Sequence, residues 1–312
     1  MTPLRPSRLT PGATIGIVSV SAPEPVTEPE WYDRGRAYLS ELGYGIRASA
    51  SVVTRHGYMS APEEQLAREL VDQFRDPEIA AIICAGGGTN ANRLLRHLDF
   101  EAIAEHPKIF IGSSNPTVLL NAIHARSGLV TFHGPAVVWN FGKPGGLTDY
   151  TEANLRAVLV EPRERTVFEP RPEWRWLCPG RTQGPLLGGN LISLQCLLGT
   201  PFEPDWDGSI LFWEDIGKST NRLDLMLTHF RDAGVFDRIG GMVIGKLVSC
   251  DAPEGGQSLE EMMEEVLQGY TFPVLAGVEF GHTDDKLTLP IGGRAELDSD
   301  EALFALVESV VI

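Results

Sequence analysis

The sequence predicts an α/β protein organised around a parallel sheet wrapped by helices. Short apolar, β-branched runs at 14–20, 80–84 and 108–112 are bounded by turn residues and read as buried strands. Stretches with helical periodicity at 29–42, 62–74 and 117–127 alternate with them, the order expected of parallel strands joined by crossover helices. Two loops that follow strands directly, 85–92 and 112–116, are rich in small and polar residues. In such sheets ligands bind at the carboxyl ends of the strands, so these two loops locate the chemistry.

Each element has its own signal. The run Thr14-Ile-Gly-Ile-Val-Ser-Val20 lies between Pro-Gly and Ala-Pro. The helix at 29–42 places Trp31, Tyr38, Leu39 and Leu42 on its apolar side and stops at Gly43. Glu63 and Glu64 open the helix at 62–74, where the positive end of the helix dipole favours them. A shorter helix is expected at 92–98. Residues 161–184 carry Arg, Pro and Trp without a steady period and read as a linker or flap. Beyond them come a turn feeding a helix at 188–198, strands at 209–213 and 241–245, and a helix at 220–233. A helix at 258–268 and strands at 273–278 and 303–312 complete the pattern. The expected organisation is an N-terminal α/β domain over 1–165, a linker over 166–186 and a C-terminal domain over 187–312.

Composition limits the function. The chain has 312 residues, 43% of them hydrophobic and 22% charged, enough for a sizeable core without disulfides or a structural metal. A formal net charge of −16 argues against nucleic-acid polymers and anionic membranes as partners. Cys84, Cys178, Cys196 and Cys250 form no CxxC pair and read as reduced thiols of a cytoplasmic protein. No run is long enough to span a membrane, and the N-terminus is a poor signal peptide. No HExxH spacing exists, and neither a metal nor a cofactor is expected.

Four groups could carry chemistry. In Gly112-Ser113-Ser114-Asn115-Pro116 a strand ends and a helix begins, which can lift the Ser114 hydroxyl out at a sharp turn. The backbone N–H after it would then point at a developing oxyanion. The same serine could equally be a helix N-cap. The turn Gly86-Gly-Gly-Thr-Asn-Ala-Asn92 can supply N–H groups to an oxyanion, make a plain tight turn, or match the loose GxGxxA dinucleotide pattern. The dinucleotide reading lacks an acidic ribose ligand at the usual distance. Of seven histidines, His282 stands out in the polar loop Phe280-Gly-His-Thr-Asp-Asp285. Glu214 and Asp215 close an apolar strand, where a carboxylate can orient a catalytic histidine.

Together these motifs resemble the serine peptidase family of LD-carboxypeptidases and microcin C immunity hydrolases. The resemblance runs through Gly86 to Asn92, Ile111-Gly-Ser-Ser-Asn115, His133-Gly-Pro135, Gly188-Gly-Asn-Leu191, Leu211-Phe-Trp-Glu-Asp215, and Gly281-His282 with Leu289-Pro-Ile-Gly292. It implies a Rossmann-like N-terminal domain, a swivelling C-terminal β/α domain and a homodimer. It implies a triad of Ser114, Glu214 and His282, with an oxyanion hole from the N–H of Asn115 and from Gly87 or Gly88. The family usually has Asp after the nucleophile, where this chain has Asn115. The Gly-Gly-Gly turn, Gly234-Val-Phe-Asp237 and the tryptophans of the interdomain segment are closer to the microcin immunity branch. Trp174 and Trp176 would then stack a nucleobase, with Arg171, Arg175 and Arg181 near a phosphoryl or sulfamoyl group.

The substrate expected is therefore a peptidyl or aminoacyl nucleotide. The alternative within the same chemistry is the L,D bond before the terminal D-Ala of a muropeptide tetrapeptide. A different class, a non-catalytic nucleotide-binding protein using the Gly86 to Ala91 turn, is also compatible with the residues alone.

Overall fold

The computed structural model describes residues 3–161 and 163–312. The strands are, in order, β1 (Thr14–Val18), β2 (Gly45–Ala48), β3 (Ile79–Cys84), β4 (Ile109–Gly112), β5 (Thr131–His133), β6 (Thr166–Phe168) and β7 (Arg175–Cys178). They continue with β8 (Arg181–Asn190), β9 (Ile210–Glu214), β10 (Gly241–Gly245), β11 (Val274–Val278), β12 (Leu289–Ile291), β13 (Arg294–Asp298) and β14 (Leu303–Leu306). They form a six-stranded sheet of order β12-β5-β4-β3-β1-β2 and an eight-stranded sheet of order β6-β14-β13-β8-β9-β10-β11-β7.

The first sheet is parallel from β2 to β5, as the alternating pattern predicts. Its central strands are apolar on both faces because helices cover both sides, and Ile15, Ile17, Ile82, Ile109 and Phe110 are buried. The helices Pro29–Glu41, Glu63–Arg75 and Thr117–Ser127 lie where the periodicity places them. The stretch expected as a helix at 92–98 is a 3₁₀ helix, Ala91–His97. In the second sheet β8, β9, β10 and β11 are parallel, and Trp213, Phe212, Val243 and Leu275 fill its core.

Two features differ from the expectation. Residues 166–186 are not a free flap: they supply β6, β7 and the start of β8 to the second sheet. β7 pairs antiparallel with β11, placing Trp176 opposite Leu275, and its Arg-Trp-Leu-Cys alternation is that of an edge strand. Second, β12 leaves the C-terminal part of the chain and pairs antiparallel with β5, setting Leu289 opposite His133. The segment after His282 is therefore fastened to the N-terminal sheet.

Candidate active site

The parallel parts of the two sheets present the carboxyl ends of β1, β3, β4, β9 and β11 to one cleft. Its volume is about 390 Å³, and its lining includes Glu24, Gly87, Ser114, Trp139, His282 and Lys286. Ser114 follows β4 with φ 62, a left-handed conformation that costs a non-glycine residue about 1–3 kcal/mol. The turn is secured on its far side, where the Thr117 N–H donates to the Ser114 carbonyl at 3.0 Å and the helix Thr117–Ser127 begins. This strained strand-to-helix turn points the Ser114 side chain toward the cleft, the arrangement of a nucleophile elbow.

Glu214 is the last residue of β9 and is fully buried. Its Oε2 lies 2.7 Å from Nδ1 of His282, and among the described residues its Oε1 has no hydrogen-bond partner. Gly281 makes this approach possible: it has φ 96, and a Cβ there would stand 2.3 Å from Glu214 Cγ. With Nδ1–H donated to the carboxylate, Nε2 is the basic nitrogen of the imidazole, the tautomer a general base needs. Ser114 and His282 therefore line one cleft, with Glu214 buried behind the imidazole.

Gly87 borders Ser114. A Cβ on it would lie 3.1 Å from Ser114 Oγ. Its N–H, expected to receive an oxyanion, donates instead to Glu24 Oε2 at 2.9 Å. Gly88 faces away: a Cβ there would meet Ser21 Oγ at 2.5 Å, and the residue does not line the cleft. Asn115 is buried; its Oδ1 accepts from the Ala91 N–H at 2.7 Å and its Nδ2 approaches Ser193 Oγ at 3.4 Å. Among the described residues nothing accepts from its backbone N–H.

The glycine turn does not fit a dinucleotide. Glu24 fills it, with Oε2 only 1.5 Å from where a Gly86 Cβ would be, so a pyrophosphate would meet a carboxylate. The Ala91 N–H at the following 3₁₀ helix is taken by Asn115. The nucleotide-binding alternative through this turn is thereby set aside.

The sequence expectation sets Trp174 and Trp176 against the base of the substrate. Neither lines the cleft. Trp174 donates its indole N–H to Glu279 at 2.6 Å and packs 6.2 Å from Phe304, while Trp176 packs against the core from within β7. Joining the sheet turns these rings into packing surface. Arg171, Arg175 and Arg181 are paired with Asp285, Glu260 and Glu296. The tryptophan in the cleft is Trp139, partly exposed and edge-on to Trp31 at 5.3 Å.

Three further residues were missed in the sequence. Glu24 sits in a Pro-rich turn with no catalytic spacing, and burial pushes its carboxyl above the usual range. The Gly87 N–H, the Trp139 indole and His282 pull in the opposite direction. Trp139 carries no motif. Lys286 is buried at 3% exposure, donates to the Gly281 carbonyl at 3.0 Å, and burial pushes its ammonium down to about 8 despite the Glu214 and Asp284 charges. Four residues past His282, it is the one signal that spacing could have given.

Behind the cleft, His133 is buried between Phe212 and Phe280 with ring centroids 5.8 and 6.1 Å away. Burial pushes it down to about 3, which makes it a neutral packing residue. Among the described residues no cluster of three or more His, Cys, Asp or Glu could hold a metal. No helix among them is long and apolar enough to cross a membrane.

Comparisons with known proteins identify the family of the chain. Residues 15–134 match the LD-carboxypeptidase N-terminal domain and residues 183–297 its C-terminal domain. The chain is 33% identical to a probable murein peptide carboxypeptidase of Bacillus subtilis over 309 residues, covering 98% of this chain and 95% of that one. It is 31% identical to the microcin C7 self-immunity protein MccF of Escherichia coli over 331 residues, covering 98% and 96%. A solved structure of MccF in complex with aspartyl sulfamoyl adenosine superposes with a TM-score of 0.93 at 30% identity, covering 99% of this chain and all of that one.

Proposed function

The chain belongs to the LD-carboxypeptidase family of serine peptidases, and from that premise we propose that Ser114, His282 and Glu214 cleave an amide-type bond in an aminoacyl or peptidyl nucleotide. The observation that carries the triad is the 2.7 Å contact from His282 to the buried Glu214, at a cleft that also holds the left-handed Ser114.

In this mechanism Nε2 of His282 takes the Ser114 proton as Oγ attacks the carbonyl carbon. Glu214 stabilises the imidazolium that forms. The oxyanion is received by backbone N–H groups next to Ser114, with Asn115 and Gly87 as the donors in reach. His282 then protonates the leaving nitrogen, and water activated by the same imidazole releases the acyl group. The N–H of Gly87 becomes a donor only when Glu24 releases it.

For the substrate, likeness to MccF bound to an aspartyl sulfamoyl nucleoside supports a nucleotide on the leaving side. Trp139 offers the base an aromatic face, in place of Trp174 and Trp176. The muropeptide reading keeps one specific support: Lys286 gives the cleft the fixed cation that a terminal D-Ala carboxylate requires. Action in the cytoplasm as a homodimer belongs to the same proposal.

The test is a mass-spectrometric hydrolysis assay on aspartyl sulfamoyl adenosine and on a muropeptide tetrapeptide, with wild type and Ser114→Ala. Cleavage of the nucleoside alone, lost in the variant, is the expected outcome. Cleavage of the tetrapeptide alone would move the assignment to the carboxypeptidase reading. Full activity in Ser114→Ala would refute the triad.

A further inference from the structure

Glu24 is the unexplained group in this cleft. Its loop is fastened to the glycine turn at several points. Ala22 N–H donates to Gly87 O at 3.1 Å, and Ser21 Oγ accepts from the Thr89 and Asn90 N–H groups at 3.1 and 3.0 Å. Ser60 in turn holds the carbonyl oxygens of Ser21 and Ala22. The carboxylate is thus delivered by a rigid loop to the backbone N–H beside Ser114.

His282 attracts its charge, but only from beyond ion-pair distance. Among the described residues no Lys, Arg or His lies within ion-pair distance of Glu24. The other charged groups of the cleft are engaged: Asp284 with Lys143, His282 with Glu214, and Lys286 with the Gly281 carbonyl. A negative oxygen forming at the Gly87 N–H would meet this carboxylate at close range, where like charges in a partly dry cleft oppose catalysis strongly. A bound ammonium relieves the conflict, because it pairs with Glu24, draws it off the Gly87 N–H and leaves the donor to the oxyanion.

Geometry restricts where that ammonium stands. An ammonium paired with Glu24 would stand beside the Gly87 N–H, and the substrate amine nearest that point is the one on the α-carbon of the attacked carbonyl. We propose that Glu24 recognises the free α-ammonium group of the residue whose carbonyl Ser114 attacks, and so selects aminoacyl substrates over N-acylated ones. This rests on Ser114 as the nucleophile and makes the substrate class narrower: an amino acid with an unblocked amine in amide-type linkage to its leaving group.

The test uses aspartyl sulfamoyl adenosine and its N-acetyl counterpart, with calorimetric affinities measured in the Ser114→Ala background so that neither is consumed. The parent should bind the free amine at least about tenfold more tightly, the range of a charge-assisted hydrogen bond. Adding Glu24→Gln, which keeps an oxygen for the Gly87 N–H, should bring the two affinities within about threefold. Adding Glu24→Asp, which keeps the charge, should retain a preference above that of the Gln variant. Equal affinities in the parent, including no measurable binding of either ligand, overturn the proposal, as does a preference that survives Glu24→Gln. Labelling of the wild-type serine by a fluorophosphonate, absent in Ser114→Ala, reports the nucleophile without either ligand and separates failure of this inference from failure of the triad.

Discussion

Replacing Glu214 by Gln changes charge with almost no change in volume at a carboxyl that is 0% exposed. Two effects act on the imidazole. The 2.7 Å contact to His282 Nδ1 loses its charge, and a hydrogen bond to a charged group contributes about 1.5–3 kcal/mol. That alone corresponds to roughly a ten- to 150-fold loss in rate. The second effect is larger. Because Glu214 Oε1 has no partner among the described residues, nothing fixes which end of the new amide faces the ring. An NH₂ turned toward Nδ1 forces the proton onto Nε2, and the ring can no longer accept from Ser114. Losing the productive tautomer takes the fall in kcat to about 10³–10⁴. Steady-state kinetics with the substrate identified by mass spectrometry should show that fall in kcat with little change in KM. Retention of more than a tenth of wild-type kcat would refute the assignment of Glu214 as the partner that orients His282.

Four other substitutions test the site. Burial holds Lys286 down to about 8, so between there and its ordinary value near 10.4 the unfolded chain binds more protons and this group's contribution to stability rises with pH. The stability of Lys286→Met relative to wild type should therefore be greatest at pH 7 and fall by roughly 3 kcal/mol toward pH 10.5, read by urea unfolding; a difference constant with pH would contradict it. Trp174→Phe should lower stability by about 1–3 kcal/mol by removing the indole donor from Glu279 Oε2, which leaves Lys246 as the partner of that carboxylate, without changing KM, whereas Trp139→Ala should raise KM for a nucleotide substrate about ten- to 100-fold. Asn115→Asp keeps the acceptor for the Ala91 N–H and loses only the long contact to Ser193, so kcat/KM should stay within about threefold; a tenfold loss would give the amide group a role beyond holding the turn.

The parallel strands were legible because burial on both faces writes itself as unbroken apolar runs such as 80–84, 108–112 and 241–245. The strands missed are of other kinds. β5 and β12 have three residues each, and β12 contains Pro290, a residue that argues against a strand unless it lies at an edge. β7 alternates exposed and half-buried positions, which in sequence is indistinguishable from an amphipathic loop. The helix Asp149–Leu159, capped by Thr148, follows a Gly-rich stretch that masks its start. In the site, Ser114, Glu214 and His282 end or follow recognisable strands, which makes them candidates, and it is the family resemblance that joins them into a triad. Glu24 has its partner Gly87 63 residues away, and only the fold brings the two together.

The division of the site between the sheets has a mechanical consequence. Glu214 ends β9 and His282 follows β11, both in the second sheet, so the proposed acid–base pair is complete within one sheet. Ser114, Gly87 and Glu24 follow strands of the first sheet. Relative movement of the sheets would change the Ser114–His282 separation and leave the Glu214–His282 contact intact. β12 opposes such movement, because the chain that leaves His282 pairs at once with β5, next to the strand that delivers Ser114. The imidazole loop is thereby anchored at one end by the sheet that orients it and at the other by the sheet that carries its proton donor. A proton transfer that requires contact at hydrogen-bond distance gains from that double attachment, since it fixes the one separation that the preassembled pair leaves free.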